Sequence, residues 1–122
     1  MTRQKRILEW AVRTFGPVFG KANIQSKEER ALRFLEEALE TAHASELGYV
    51  QALAMLNRVY SRPQGDLAQE IGSALLCLEA LAEAAGVDAQ AELEREFARV
   101  QAISPEEFAI RHAAKKSAGL AV

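Results

Sequence analysis

The chain is poor in the residues that would announce a staple, an anchor or a polyanion-binding face. There is one cysteine in 122 residues, which excludes an internal disulfide and suits a reducing compartment, so the expected location is the cytoplasm. An excess of positive charge is missing too. Fifteen Lys and Arg face seventeen Asp and Glu, for a formal net charge of −2, which argues against a dedicated nucleic-acid binder. Long apolar runs are absent: the basic N-terminus "MTRQKRILEW" has none behind it, so no signal peptide is expected. No stretch is long and apolar enough to suggest a membrane partner. Only three prolines and seven glycines occur, and several of them sit where helical periodicity breaks.

What the chain does have is helix-forming material. Its 49% hydrophobic and 26% charged residues read as globular rather than disordered, and its length fits one domain, residues 1–122. Ala, Leu, Glu and Arg dominate, and no alternating run bounded by turn residues makes a strand, so the fold class expected is all-α with five to six helices. A first helix runs from about Thr2 to Phe15 and is expected to stop where Gly16, Pro17 and Gly20 interrupt it, giving an N-terminal helix and loop over residues 1–25. Ser26 with Glu29 is a capping-box pair opening a second helix to about Ala44. A third spans about Ser45 to Tyr60 and ends at "SRPQGD". Asp66 caps a fourth that stops at Gly86, Asp88 opens a fifth, and Ser104-Pro105-Glu106-Glu107 caps the last. Residues 117–122 read as a frayed tail.

In "FLEEALETAH" the second helix carries Glu36, Glu37 and Glu40. At 100° per residue Leu32, Leu35, Ala38, Leu39 and Ala42 share one side, while Glu29, Arg33, Glu36, Glu37 and Glu40 share the other. This is the pattern of a surface helix with a solvated charged face. The same spacing lets Glu37 and Glu40, at i and i+3, reach one cation. Glu70 is the more informative acid. The fourth helix is apolar most of the way round, as expected of a central helix packed by several neighbours, and Glu70 falls on the flank of its Leu67–Ile71–Leu75–Leu78 stripe. An ionised carboxylate there needs a metal, an arginine such as Arg33 or Arg58, or the helix dipole near its start.

The segments "EEALE" at Glu36–Glu40 and "QEIGSALLCLEALAEAAGVD", with "RALRFLEEALE" and "YSRPQGDLAQEIG" around them, resemble the two halves of the E-E-x-x-E…E-x-x-D motif of the MazG-like all-α nucleoside triphosphate pyrophosphohydrolases. The resemblance spans roughly residues 5–116. It implies a helical bundle with a four-helix core that assembles as a homodimer or homotetramer. The activity it implies is Mg²⁺-dependent cleavage of a nucleoside or deoxynucleoside triphosphate to the monophosphate and pyrophosphate. Carried over by position, Glu37, Glu40 and Glu70 would be the metal ligands, with Glu36 and Glu37 in the catalytic set. Mg²⁺ takes hard oxygen ligands and keeps places for water and substrate phosphates, which explains the residue type. Three residues after Glu70 the family has aspartate where this chain has Ser73. The alternative expectation is therefore a catalytically degenerate member that keeps the fold and serves as a binding or structural oligomer.

Triphosphate binding needs positive charge, for which Arg111 and Lys115, at i and i+4, are candidates; a solvated helix end favouring cations is the other reading. Trp10 could stack on a base or belong to the core. His43 and Cys77 receive no role.

Overall fold

A computed structural model describes residues 1–121. Among the described residues there are seven helices and no strand: α1 (Arg3–Phe19), α2 (Lys21–Gln25), α3 (Lys27–Ala44), α4 (Tyr49–Tyr60), α5 (Leu67–Ala84), α6 (Ala89–Gln101) and α7 (Pro105–Ser117). Side-chain oxygens of Thr2, Ser26, Asp66, Asp88 and Ser104 each accept from the backbone N–H three residues on. Each such cap satisfies an orphan donor and stabilises its helix by about 1 kcal/mol. No described helix is long and apolar enough to cross a membrane.

The first helix does not stop at Gly16-Pro17. It runs through both to Phe19 and ends at Gly20, whose φ of 89° only glycine adopts without strain and whose N–H donates to the Gly16 carbonyl at 2.8 Å. A residue before proline is pushed out of the helical region largely by its own Cβ, and Gly16 has none, so the helix passes at the cost of one hydrogen bond. The loop expected next holds the short helix α2.

The chain groups into two units, Met1–Gly48 with the segment from Ile103 onward, and Tyr49–Ala102. The first has a small aromatic core. Phe15, 7% exposed, meets Trp10 edge-on at 5.3 Å, Phe108 at 4.7 Å and Phe19 at 6.0 Å. The Phe19 ring in turn lies 4.9 Å from His112, and Ile24 of α2, which packs on α1, is also buried. The ring contacts join α1 to α7, while α2 packs against α1 and α3.

The second unit, α4 to α6, has no buried residue. The expectation that α5 is packed by several neighbours is not met within its unit: Leu75 is 59% and Leu76 72% exposed, and Leu67, Ile71 and Leu78 are exposed with them. The stripes of α4 and α5 have the right period, yet among the described residues of this unit they stay exposed. An apolar stripe becomes core only where another apolar surface meets it.

Candidate metal site

Along α3 the charged residues Glu29, Arg33, Glu36 and Glu40 recur every three or four positions and form one stripe. The sequence places that stripe in solvent and the leucines inside. The structure reverses this in the N-terminal half of the helix. Glu29 is 1% exposed and Arg33 and Glu36 are half-buried, whereas of the expected apolar side Leu32 is half-buried and Leu35 and Leu39 are exposed, as is Phe34 between the two sides. The reason is electrostatic: a carboxylate leaves water only where cations and donors replace it. Glu29 Oε1 has Arg33 Nε at 3.1 Å, His112 Nδ1 at 3.8 Å and an Arg30 terminal nitrogen at 4.0 Å. Helix α7 supplies the histidine, so the charged side of α3 is the side with something to meet.

The cluster is tightly held but not saturated. The Nε atoms of Arg30 and Arg33 are buried without a hydrogen-bond acceptor; the 3.1 Å approach of Arg33 Nε to Glu29 is an ion pair lacking hydrogen-bond alignment. Burial pushes the Arg30 pKa down from its usual value, Glu29 pulls it back up, and Arg33 adds to the lowering. Arg33 also donates to Glu36 Oε2 at 3.3 Å and to the Leu120 carbonyl. That carbonyl belongs to a turn in which the Leu120 N–H donates to Lys115 O at 2.7 Å, closing the end of α7.

One turn further along α3, Glu36, Glu37 and Glu40 come together, each offering a carboxylate oxygen within 4.8 Å of the others. Glu37 and Glu40 are exposed and Glu36 is half-buried. The donor set fits a hard divalent cation, which takes carboxylate oxygens and water. Exposed carboxylates at this spacing are common without an ion, so the triad permits a metal and does not require one. Its members differ in partners. Glu36 accepts from Lys115 Nζ on Oε1 at 2.9 Å while Arg33 takes Oε2, so each of its oxygens carries a cationic partner.

The remaining residues singled out from sequence fall as follows. Glu70 lies exposed in the first turn of α5, in the second unit, with its carboxylate folded so close over Gly65 that a Cβ there would come within 2.7 Å of Oε1. Ser73 is exposed on the same helix. Trp10 is half-buried against Phe15. Arg111 pairs with Glu107 at 3.3 Å and lies over the Phe108 ring at 5.7 Å, and Lys115 is on Glu36. The three candidates for substrate contact are thus engaged by side chains of their own unit. Cys77 is a free, exposed thiol.

The residues that sequence reasoning missed as a group are Glu29, Arg30, Arg33 and His112. The available signal was the i, i+4, i+7 recurrence of alternating charge from Glu29 to Glu36, which marks a stripe but not which way it faces. No protein family matches the chain, and neither does any curated protein or any solved structure.

Proposed function

We propose that this chain is a Mg²⁺-dependent nucleotide pyrophosphohydrolase of the MazG-like type, cleaving a nucleoside or deoxynucleoside triphosphate to the monophosphate and pyrophosphate. The observation that supports the reading is the convergence of Glu36, Glu37 and Glu40 within 4.8 Å on α3, at the positions where the motif resemblance asks for acids. Glu37 and Glu40 would hold the ion, and the resemblance adds Glu70 as a further carboxylate. Bound Mg²⁺ would supply charge neutralisation on the triphosphate and a more acidic water. The chain's own contribution is positional. Helix α3 carries the Glu37 and Glu40 carboxylates on one turn, and Glu36, held by Arg33 and Lys115, would stand beside them as the acid that supports the ligands or helps position water.

The same proposal includes self-association into a homodimer or homotetramer whose four-helix core draws helices from more than one copy. The chain exposes 9633 Å², whereas two separate compact bodies of the same total size would expose about 7,800 Å². The surplus, roughly 1,800 Å², exceeds the ~800 Å² that each partner buries in a standard interface and falls in the range of obligate assemblies. Exposed leucines, isoleucine and valines of α4 and α5 make up much of it. A second reading keeps the assembly without catalysis: Ser73 stands where the family has a ligating aspartate, so the chain would be a helical oligomer that has lost turnover.

One assay separates the two readings. Purified protein with Mg²⁺ is offered a panel of NTPs and dNTPs and pyrophosphate release is followed. Turnover lost on Glu37→Gln or Glu40→Gln supports the enzyme, and an oligomer that turns over none of the panel supports the degenerate member.

A further inference from the structure

We propose that the unit Tyr49–Ala102 has no folded single-chain form: α4 and α5 gain a core only against α4 and α5 of a second copy, while the unit around Phe15 folds in each chain alone. The inference rests on the self-association part of the reading above and is independent of its chemistry. It adds that chain concentration decides whether nearly half of the helix exists.

Folding fixes backbone dihedrals, and burial of apolar surface is the main term that offsets that loss of entropy. In the unit of α1, α2, α3 and α7 burial is present: Phe15, Ile24 and Glu29 are inside, and α1 packs on α2 and α7. In the unit of α4, α5 and α6 no residue is buried, and among its described residues none of the three helices packs along another. Their lengths are 12, 18 and 13 residues, close to the limit below which an isolated helix is marginal in water. What they have of their own is local. Asp66 and Asp88 cap α5 and α6, and α6 adds the exposed pairs Glu92–Arg95 and Glu96–Arg99. Caps and pairs of this kind bias a helix without holding it against the entropy of the open chain.

The surface these helices lack is one the chain itself makes. Tyr49, Leu53, Leu56 and Tyr60 form a stripe on α4, and Leu67, Ile71, Leu75 and Leu78 form one on α5. Each stripe spans about 16 Å at 1.5 Å per residue. Charge selects how they meet. Helix α5 carries Glu70, Glu79 and Glu83 and no cation, so two copies of α5 laid together set acid against acid. Helix α4 carries no acid, and its one charge, Arg58, falls on the side away from its stripe. Helix α4 of one copy on α5 of the other therefore matches the stripes in length, avoids the repulsion and, by two-fold symmetry, occurs twice. The same pair closed within one chain makes two helices with no second layer, too little to enclose either stripe; two copies bring four. The surplus exposed area of roughly 1,800 Å² falls among obligate interfaces, whose subunits often have no stable folded monomer.

The chain carries its own probe for the test. Trp10 is the sole tryptophan and sits against Phe15, so its fluorescence reports one unit. Circular dichroism reports every helix, and α4 to α6 hold a little under half of the helical residues. The full chain is unfolded in urea at protein concentrations a hundredfold apart. Dichroism should show a phase of a little under half the amplitude whose midpoint rises by on the order of 1 M urea with that increase, because the transition separates subunits. The Trp10 midpoint should not move. Leu56→Asp supplies a second measurement without urea: it should sediment as a monomer, lose a little under half of the wild-type helix signal and keep the Trp10 emission. A dichroism curve independent of concentration, from a chain that sediments as an oligomer, means that folded monomers dock; it overturns the inference and leaves the assembly standing. A fully helical Leu56→Asp monomer does the same. Trp10 and dichroism moving together with concentration would make the whole chain one obligate body and overturn the division between units. A wild type that is monomeric at every concentration removes the self-association reading and this inference with it.

Discussion

Phe15 and Leu75 are both large apolar side chains in mid-helix, yet the first is 7% exposed and the second 59%. The first belongs to the unit built from α1, α2, α3 and α7, where an aromatic cluster and a buried charge network close on one another. The second belongs to the unit of α4, α5 and α6, where no residue is buried at all. Composition does not explain the contrast, since α5 is the most apolar helix in the chain. What differs is complementarity. Phe15 has Trp10, Phe19 and Phe108 around it, and Glu29 has Arg33, Arg30 and His112. Leu75 has the right neighbours along its own helix and, within its own unit, no surface that buries them. Apolarity makes burial favourable; a partner of matching shape is what makes it happen.

Three perturbations sharpen that contrast. The largest effect is expected at Glu29→Leu, which strands Arg33 and Arg30 without their buried acid. Breaking one side of a buried pair costs about 3–5 kcal/mol, so thermal melting followed by circular dichroism should show the unit around Phe15 lost well before any change in α4 to α6. A melt within a degree or two of wild type would mean that the network is solvated in solution. Next comes Leu75→Asp. On a surface truly left in water the change should cost less than about 0.5 kcal/mol; at a subunit interface it places a charge in an apolar seam and should shift sedimentation equilibrium to the monomer. Unchanged association together with an unchanged melt would remove α5 from the interface. The smallest effect is expected at Glu96→Gln on α6. A hydrogen bond from Arg99 holds the Glu96 carboxyl below its usual range, against a weak upward push from burial. A depressed folded pKa contributes stability above the unfolded value of 4.5, and that contribution fades as pH falls toward the folded one. Because the Glu96 side chain is 55% exposed, screening leaves a few tenths of a kcal/mol at most, visible as a small narrowing of the wild-type advantage between pH 7 and pH 3.

Much of the local structure was legible in the sequence because its causes are local. The Ser26, Asp66, Asp88 and Ser104 caps each depend on residues within three positions, and all four form as read. The course of α1 through Pro17 was misread because the proline was weighed without the glycine before it. The facing of α3 was not legible at all. Periodicity separates the Glu29–Arg33–Glu36 stripe from the leucines but is silent on which side finds partners, and those partners, His112 and Lys115, lie some eighty residues further on. Glu36, Glu37 and Glu40 were readable as a group because one helical turn brings them together. That Lys115 sits on Glu36 rather than facing solvent was not, since it depends on how two distant helices meet.

The reversed facing of α3 also ties the protein to its ionic medium. The bonds from Glu29 and Glu36 to α7 are electrostatic, and the more exposed of them weaken as added salt shortens the range of charge, to about 8 Å at physiological ionic strength. The exposed Phe34, Leu35 and Leu39 on its other flank respond the opposite way to strongly hydrated anions such as sulfate, which drive apolar surfaces together. Chloride and sulfate at matched ionic strength would therefore pull on different sides of one helix, and the choice of counter-ion alone would select which side α3 commits to a partner.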